Sequence, residues 1–220
     1  MPANSSVSIM MYNRLLNYLR FLKQLPAGSP DNISSIEIAT ALGIHDGQVR
    51  RDLADIGTGA TPKMGYLTKD LITALEHFLG YDNYTDAVLV GVGNLGRAFI
   101  SYENFKNYGL KIVAAFDSSP TLIGQTVGEI QVLDAAKISN ICERMSIHIG
   151  IITVPTSCAQ NVCDQLIAGG VRAIWNFAPI DMNVPPNIVI KNEDMASSLA
   201  VLTRQLADNA AEEKEGRNRP

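Results

Sequence analysis

The sequence predicts an α/β protein in which a small helical domain precedes a doubly wound parallel sheet and a final helix. Three observations lead to this prediction. Apolar residues recur at helical spacing as far as residue 79. From residue 88 onward, short apolar segments alternate with helical ones, the order typical of a parallel sheet. A last helical segment with an apolar face follows after the sheet is complete. The predicted domains are residues 1–83, 84–194 and 195–211, with a charged tail at 212–220.

Composition argues against several classes of protein. The chain has 220 residues. None of its apolar runs approaches the roughly 20 residues of a membrane-spanning helix, so we expect no membrane association of this kind. The N-terminus lacks the basic region and apolar core of a secretory signal, so we expect a cytoplasmic protein. The cysteines form no Cys-x-x-Cys pair and the histidines are scattered. We therefore expect neither a disulfide bond nor a metal site.

The N-terminal domain is predicted to begin with a helix over residues 8–25, in which leucines recur at helical spacing before the chain reaches Pro26. Ser34 and Glu37 have the spacing of a capping box, which starts a second, shorter helix. The same periodicity predicts a last helix of this domain at Thr68–Leu79.

Three residues, one in the second helix and two after it, follow the pattern of a helix-turn-helix. Ala39 lets two helices approach, Gly43 takes the turn, and Val49 packs a helix at about His45–Ile56 onto its predecessor. Polar side chains on that helix are suited to base edges or phosphates. The Gly57–Tyr66 segment that follows is interpreted as a glycine-rich wing. The DNA-contact candidates are Ser35, Gln48, Arg50, Arg51, Lys63 and Tyr66.

Charge does not favour this interpretation. The net charge is −4, and residues 1–80 contain seven Lys/Arg and seven Asp/Glu, so the domain is neutral. Any affinity for DNA must therefore come from the local placement of cations. The alternative is a small helical bundle that binds another protein, with Gln48, Arg50 and Arg51 on a solvated face.

The strongest motif lies at the start of the second domain. An apolar strand at Val88–Val90 leads directly into three glycines, and a helix is predicted at Leu95–Phe105. This order is typical of the phosphate-binding turn of a dinucleotide-binding, Rossmann-type βαβ unit. In such a turn Gly91 permits the bend, Gly93 lets the backbone approach a pyrophosphate, and Gly96 lets the helix pack against the strand.

A second apolar strand, Leu110–Asp117, ends in a carboxylate near the expected position of a ribose-binding acid. A carboxylate there accepts hydrogen bonds from the adenosine 2′-OH and repels a 2′-phosphate. The sequence therefore favours NAD(H) over NADP(H). The alternative is that Asp117 only caps a turn before Ser118–Pro120.

The alternation of strands and helices continues toward the C-terminus. Further strands are predicted at 128–133, 147–155, 173–179 and 188–191, and a helix at 157–168. Ligands of such sheets bind at the C-terminal ends of the strands. Thr153–Pro155 and Asn176–Pro179 are therefore expected beside the nicotinamide, or else they are plain exits from strands. The final helix, Met195–Ala211, has an apolar face with no place on the sheet, so we expect it to pack on a partner subunit.

The space in the second domain bears on the kind of function. A dehydrogenase needs a second domain or long insertions to hold substrate and a proton-transfer residue. Between Tyr84 and Lys191 the chain has room for the nucleotide fold and little else, and no histidine is expected beside the nicotinamide. Binding of the cofactor without reaction is favoured. The alternatives are a small NAD-dependent oxidoreductase with dimerisation helices and an NAD(H)-gated adaptor for another protein.

Seven segments that follow in order along the chain match the pattern of one known family. They are Tyr18–Leu22, Ile33–Ala39, Gln48–Leu53, Gly91–Ala98, Val113–Asp117, Ile152–Pro155 and Asn176–Pro179. Through them, nearly the whole chain resembles the redox-sensing transcriptional repressors of bacteria known as the Rex family. The resemblance implies a homodimer of winged-helix and Rossmann domains whose C-terminal helix swaps onto the partner. It further implies binding to an inverted-repeat operator when NADH is scarce, and release when NADH binds.

The resemblance also implies residue roles. Tyr102 is similar to a tyrosine that moves to cover reduced nicotinamide, and Arg20 and Asp194 to an ion pair that forms in one of two states. Tyr66 would support the wing. Alternatively, Tyr102 is a core aromatic and Arg20 a surface cation. The cofactor contacts implied are Gly91, Val92, Gly93, Asn94, Leu95, Gly96, Tyr102, Asp117, Thr153, Val154, Pro155, Asn176, Ala178 and Pro179.

The chain departs from the family pattern in two places. The wing lacks the aromatic residues and one of the glycines that the family usually has between Ile56 and Tyr66. Glu193 stands where the family usually has valine, which adds a charge beside the proposed switch residue Asp194.

Overall fold

The computed structural model describes residues 8–61, 64–81 and 85–217. The chain divides into two compact units, Met1–Tyr84 with Asn107–Gly109, and Thr85–Lys106 with Leu110–Pro220.

Among its described residues, the first unit contains four α-helices and a two-stranded sheet. The helices are α1 (Ile9–Lys23), α2 (Ser35–Leu42), α3 (Asp46–Asp55) and α4 (Thr68–Leu79). The strands β1 (Asn32–Ile33) and β2 (Tyr66–Leu67) pair in antiparallel fashion. The predicted boundaries of α4 are confirmed residue for residue. The core is apolar and comes from all four helices, with Leu15, Ile38, Val49, Leu53 and Leu75 fully buried.

The helix-turn-helix prediction is confirmed by local geometry. Ser34 and Glu37 form the capping box reciprocally, since each side chain hydrogen-bonds the backbone of the other residue. Gly43 ends α2 in the left-handed conformation, with φ of 65°, which glycine adopts without strain. Ala39 and Val49 are both buried between the helices. The short exposed turn between α2 and α3 therefore follows from these three positions.

The second unit is a seven-stranded sheet in the order β5-β6-β4-β3-β7-β8-β9. All neighbouring pairs are parallel except β5 with β6. The chain builds outward from β3 through β4 to β6, then returns to β7 on the other side. This reversal creates a crevice at the C-terminal strand ends beside β3. The strands are β3 (Thr85–Val90), β4 (Leu110–Asp117), β5 (Thr126–Val127), β6 (Ile130–Asp134), β7 (Ile149–Ile152), β8 (Ala173–Asn176) and β9 (Val189–Asn192).

Apolar layers cover both faces of this sheet. Val88 and Val90 of β3 face one layer, which includes the helices α6 (Ile138–Arg144) and α7 (Thr156–Ala168). Ala87 and Leu89, which alternate with them, face a second layer that includes aromatic side chains and α5 (Asn94–Ile100). Burial on both faces explains why these strands have continuous apolar sequences. The last helix is α8 (Met195–Arg217).

Several predicted boundaries need correction. The helix predicted to reach Phe105 ends at Ile100, and a 3-10 helix at Glu103–Tyr108 follows. This change of path brings the Phe105 ring to 5.6 Å from that of Phe99, so tertiary packing overrides helical propensity. The strand predicted at 128–133 is present as β6, shifted to Ile130–Asp134, and the short strand β5 precedes it. The chain turns at Gly128, with φ of 59°, and forms the β5–β6 hairpin.

Two strands are shorter than predicted. β7 ends at Ile152 and β8 at Asn176, so Pro155 and Pro179, which lack the N–H that a strand ladder needs, lie beyond the ends of both strands. His148 lies before β7, not inside it.

Two helices differ from expectation. Helix α6 has no counterpart among the predicted helices, although Ile138, Ile141 and Cys142 have helical spacing and pack into the core. The charged segment predicted as a tail from residue 212 is helical through Arg217. Glutamate, a strong helix former, supplies three of the six residues from 212 to 217.

Candidate cofactor pocket and DNA-recognition surface

The glycine loop between β3 and α5 is shaped by close backbone contacts. Gly91 has a φ of 100°, and its N–H donates to Phe116 O at 2.8 Å. A Cβ at Gly91 would lie 2.7 Å from Thr153 O, and one at Gly96 would lie 2.0 Å from Gly91 O. Any side chain at Gly91 or Gly96 would therefore collide with backbone. The protein's own packing requires these two glycines.

Gly93 differs from its neighbours. Its φ is −73°, which any residue adopts, and a Cβ there would meet no atom within 4 Å. It is the N-cap of α5 but supplies no side-chain cap for the first helical N–H groups. Neither conformation nor packing demands glycine, so the backbone at Gly93 is left open to an approaching group. An anionic group held by backbone N–H donors fits these features. Val92, Asn94 and Leu95 belong to the same loop and first helical turn.

Asp117, at the end of β4, fastens this loop. Its Oδ2 accepts from Val92 N at 2.7 Å and its Oδ1 from Ser119 N at 2.8 Å. The second contact is the turn cap that the alternative interpretation expected. Each carboxylate oxygen has two acceptor positions, so one donor apiece leaves room for ribose hydroxyls. Capping the turn and binding a ribose are therefore compatible at Asp117.

A cavity of about 700 Å³ opens beside the glycine loop, within the size range of small-molecule and cofactor sites. Six of the predicted cofactor residues line it, namely Gly91, Gly93, Asp117, Thr153, Val154 and Pro155. The rest of the lining was not among the predicted cofactor residues and comes from Val90, Ser118, Leu122, Ala135 and the α7 residues Ser157, Cys158, Asn161, Val162 and Gln165. The prediction of a helix directly after Pro155 was a signal that its first turns would face the crevice.

Thr153 connects β7 to the loop. Its hydroxyl donates to Gly91 O at 2.7 Å and lies 3.1 Å from Val90 O, and its backbone N–H donates to Val90 O at 2.9 Å. These bonds hold the two crevice walls at a fixed spacing.

Asn176 organises the segment after β8. It is fully buried, its Nδ2 donates to Ala178 O and Asn192 Oδ1 at 3.0 Å, and its Oδ1 accepts from Ala178 N at 2.8 Å. Asn176, Ala178 and Pro179 are not among the residues that line the 700 Å³ cavity. The side chain of Asn176 therefore supports this segment and does not itself face the cavity.

Tyr102 belongs to a group of aromatic rings on the α5 side of the sheet. It is 48% exposed and its ring lies 4.9 Å from that of Phe105. Phe105 in turn contacts Trp175 at 5.9 Å, and Trp175 contacts Phe177 at 4.8 Å. Tyr102 lines a separate cavity of about 350 Å³. In this conformation it does not reach the cavity beside the glycine loop.

The two predicted switch residues lie in different units. Arg20 is exposed near the end of α1. Asp194 precedes α8, and its Oδ1 accepts from Ala196 N at 2.9 Å and from Ser197 N at 3.0 Å. The Ser197 hydroxyl donates to Oδ2. The hydrogen bonds from Ser197, chiefly that of its side chain, lower the pKa of Asp194. Beside it, Glu193 accepts from the Trp175 indole N–H at 3.1 Å.

Helix α3 carries three of the six predicted DNA-contact residues, and each of the three hydrogen-bonds another side chain of the same helix. Arg50 bonds Asp46 at 2.7 Å, and Arg51 donates to Gln48 Oε1 at 2.9 Å. Ser35 is half-buried as the first residue of α2. The wing begins with a bridge between Thr61 and Gly65, and Lys63 lies outside the described residues.

Tyr66 closes the base of the wing. It is 7% exposed and pairs with Ile33 in the small sheet. Desolvation raises the pKa of its hydroxyl. This buried position agrees with a role for Tyr66 in supporting the wing. Such a role needs no direct contact with DNA bases.

A buried ionic group that was not predicted from the sequence lies beneath α3. Asp52 is 2% exposed and forms a bidentate pair with Arg14 of α1, while Tyr18 also donates to it. A signal was available, because Asp52 falls beside Leu53 and three residues after Val49, on the inward face of the helix. A carboxylate on such a face must have partners.

Within the part of the chain that the structure describes, no helix has the length and apolar character needed to cross a membrane. Those same residues include no group of three or more His, Cys, Asp or Glu side chains placed to hold a metal ion.

Comparisons with known proteins agree with this division. Two family models match, a putative DNA-binding protein N-terminus over residues 6–54 and a CoA binding domain over residues 82–180. A redox-sensing transcriptional repressor Rex from Clostridium beijerinckii is 40% identical over 202 residues, 92% of this chain and 96% of the relative. Its namesake from Desulforamulus reducens is 39% identical over 194 residues, 88% and 92% of the two chains.

Solved structures extend the likeness to three dimensions. RSP in complex with β-NAD⁺ and operator DNA superimposes with a TM-score of 0.88 at 31% identity, covering 98% of this chain and all of that one. RSP in complex with β-NADH gives a TM-score of 0.84 at 32% identity, covering 96% and 99%. RSP is itself described as a Rex-family repressor. Sequence, fold and full-length coverage together mean that this chain belongs to the Rex family of redox-sensing transcriptional repressors.

Proposed function

We propose that this chain is a dimeric repressor that binds an inverted-repeat operator when NADH is scarce and leaves it when NADH binds. It is a sensor of the cofactor and not an enzyme that turns it over. The observation that carries the proposal is the open backbone at Gly93, on the same chain as a helix-turn-helix. The RSP complexes with NAD⁺ and operator DNA, and with NADH, support the same pairing of ligands.

Different residues of the pocket bind different parts of the cofactor. Gly93 and the first turn of α5 receive the pyrophosphate, while Gly91 and Gly96 keep that backbone in place. Asp117 accepts from the adenosine ribose. Because a carboxylate repels a 2′-phosphate, we infer a preference for NAD(H) over NADP(H). Thr153–Pro155 form the wall toward the nicotinamide, and Asn176 fixes the segment of Ala178 and Pro179.

When bound, the nicotinamide supplies a ring that is cationic in the oxidised form and neutral in the reduced form. Tyr102 moves from its exposed position to cover the reduced ring. An ion pair between Arg20 and Asp194 forms in only one of the two states, in exchange for the contacts between Asp194 and Ser197. A ligand shifts such an equilibrium only by its difference in affinity for the two states.

DNA contacts come from α3 and the wing. Arg50, Arg51 and Lys63 bind phosphates or base edges, Gln48 and Ser35 add hydrogen bonds, and Tyr66 keeps the wing in place. The second subunit is expected along α8, where the large apolar side chains are exposed. Those side chains are Leu199, Val201, Leu202 and Leu206, each at least 58% exposed. We infer that this helix swaps onto the partner.

The test is selection of bound duplexes from a random DNA pool, followed by elution with NADH or, separately, NAD⁺. We expect enrichment of an inverted repeat that NADH elutes and NAD⁺ spares. Failure to enrich any sequence would overturn the proposal. Turnover of NADH with a carbonyl substrate would then indicate an oxidoreductase, and ligand-dependent capture of a protein would indicate an adaptor.

The switch has its own test. Tyr102→Phe, Arg20→Ala and Asp194→Ala are expected to weaken NADH-driven release from DNA more than they weaken NADH binding itself. Release of operator DNA at the wild-type NADH concentration by all three variants would eliminate the proposed switch.

A further inference from the structure

The recognition helix α3 rests on a carboxylate that is removed from solvent. Asp52 is 2% exposed, yet its two oxygens receive four hydrogen bonds from three side chains. Arg14 donates through Nε at 2.7 Å and through a terminal nitrogen at 2.8 Å. Tyr18 Oη and Gln48 Nε2 each donate at 2.8 Å. Two of these partners belong to α1, and Gln48 lies one turn earlier on α3 itself.

The charge state of this group is well defined. Desolvation by itself would raise the pKa of Asp52, but the hydrogen bonds from Arg14, Tyr18 and Gln48 outweigh it and lower the pKa. Burial, followed by the hydrogen bond to Asp52, raises the pKa of Tyr18, so its hydroxyl keeps its proton and donates. An ionised carboxylate has no hydrogen to give. Every group that faces Asp52 must therefore be a donor.

This requirement determines the orientation of Gln48. Its amide must turn the nitrogen toward Asp52, which leaves Oε1 on the outer side. There Oε1 accepts from Arg51 at 2.9 Å. The buried carboxylate is thus linked through one amide to a guanidinium on the predicted DNA-facing side of α3. Gln48 is half-buried and Arg51 is exposed, which places them at successive distances from the core.

We propose that Asp52 is a positioning residue for DNA sequence recognition, acting through Gln48 on Arg51. The inference rests on the proposed function of α3 in binding operator DNA. With one N–H held by Gln48, Arg51 retains donors for the O6 and N7 acceptors of a guanine, the base-pair edge that arginine recognises best. Arg51 then makes a directional contact with a base rather than a diffuse contact with phosphate.

The same helix offers a matched control. Arg50, adjacent to Arg51, bonds an aspartate directly, at 2.7 Å. That aspartate is Asp46, on the solvent side of the helix. Asp46 has no recorded bond to Gln48 or Arg51 among the described contacts. Asp46→Asn and Asp52→Asn therefore remove the same charge from the same helix. Only the second change alters the constraint on the Gln48 amide, because an asparagine presents either a donor or an acceptor.

The experiment compares the full-length wild type, Asp52→Asn, Asp46→Asn, Gln48→Ala and the Asp52→Asn/Gln48→Ala double variant. Each selects duplexes from a random pool, and thermal unfolding verifies the fold of each. We expect Asp52→Asn to lose about tenfold discrimination at one guanine per half-site, the scale of one bidentate contact. Affinity for non-specific DNA at low salt stays near wild type. Asp46→Asn keeps the wild-type preference at that guanine, and in the Gln48→Ala background Asp52→Asn has no additional effect there.

An enriched operator whose base preferences are the same for wild type and folded Asp52→Asn would overturn this inference and leave the repressor function intact. Absence of any enriched sequence for the wild type would instead overturn the proposed function. If Asp52→Asn does not fold, Gln48→Ala and Arg51→Ala decide the matter. The proposal requires that they relax the same base position, and effects at different positions would contradict it.

Discussion

The two candidate binding surfaces are built on opposite principles. On α3, the polar side chains predicted to face DNA bond to other side chains, as Arg50 does to Asp46 and Arg51 to Gln48. At the cofactor pocket the contact surface is the backbone at Gly93. The side chains of Asp117 and Thr153 hold the glycine loop in place by hydrogen bonds to its backbone. Side-chain pairs exchange partners readily, whereas a backbone loop keeps one shape. Sequence preference on DNA is therefore adjustable by degrees, while dinucleotide binding depends on a loop that tolerates little change.

The largest effect should come from the support beneath α3. Asp52→Ala leaves Arg14 and Tyr18 without their acceptor, and removing one member of a buried pair typically costs about 3–5 kcal/mol. We expect a loss of that size in the free energy of unfolding, measured by urea denaturation. Asp46→Ala, which breaks only an exposed pair, should cost less than about 1 kcal/mol. Equal losses for the two variants would mean that Asp52 is no more than another surface charge.

A substitution in the glycine loop should separate cofactor binding from folding. Gly93→Val fills open space next to the α5 N-terminus, so the fold should persist while NADH loses access to the backbone. Overpacking of this kind costs about 1–3 kcal/mol, which corresponds to a roughly 10- to 100-fold loss of NADH affinity by titration. Gly96→Ala is the contrasting variant, because its Cβ meets Gly91 O and the melting temperature should fall. Unchanged NADH affinity in Gly93→Val would contradict the proposed binding of the pyrophosphate at this loop.

Helix positions and the glycine loop were predictable because local signals decide them. The capping box, Gly43 and the apolar spacing of α4 act over a few residues, and the Gly91–Gly96 turn has a shape that its own glycines permit. Side-chain pairing was not predictable in the same way. Gln48 lay on the predicted polar face, but the bond from its Nε2 to Asp52 depends on Arg14 and Tyr18, more than 30 residues away. Long-range packing also contributes where α5 gives way to the 3-10 helix, because the rings of Phe99 and Phe105 both contact Trp175.

The fall in the free energy of unfolding at acid pH should reveal the contribution of the buried Asp52 beneath α3. The pKa of Asp52 is below its ordinary value of 3.8 in the folded chain, so its contribution is fully present above that value. It is lost as pH falls through the lowered pKa, because the unfolded state then binds the proton first. Comparing wild type with Asp52→Asn by denaturation from pH 6 to pH 2 should show that the variant lacks this part of the decline. Parallel pH profiles would contradict it.

Discrimination between dinucleotides should respond to Asp117. Asp117→Asn keeps an oxygen for the Val92 N–H but removes the charge that repels a 2′-phosphate. We expect the NADPH-to-NADH affinity ratio to rise about tenfold, or roughly 1.4 kcal/mol, as measured by competitive titration. Asp134→Asn, a carboxylate on the neighbouring strand β6, is the control. An unchanged ratio in Asp117→Asn would leave capping of the turn as the only role of Asp117.

The smallest effect is expected at Glu193. Glu193→Gln keeps an acceptor for the Trp175 indole N–H, whereas Glu193→Val removes a hydrogen bond that typically contributes about 0.5–1.5 kcal/mol. The NADH concentration that releases DNA should therefore shift at most about tenfold for Glu193→Val and hardly at all for Glu193→Gln. A larger shift for Glu193→Gln would indicate that charge, not the hydrogen bond, acts at this position.

Trp175, described above as one member of an aromatic group, gives the molecule an optical property. The chain contains a single tryptophan, and it lies in the nucleotide-binding unit. Reduced nicotinamide absorbs light at the wavelengths where indole emits, and oxidised nicotinamide does not. Arrival of the reduced cofactor should therefore quench the emission of this one fluorophore by energy transfer. Each subunit then reports its own redox occupancy without a label, even while operator DNA is in the same cuvette.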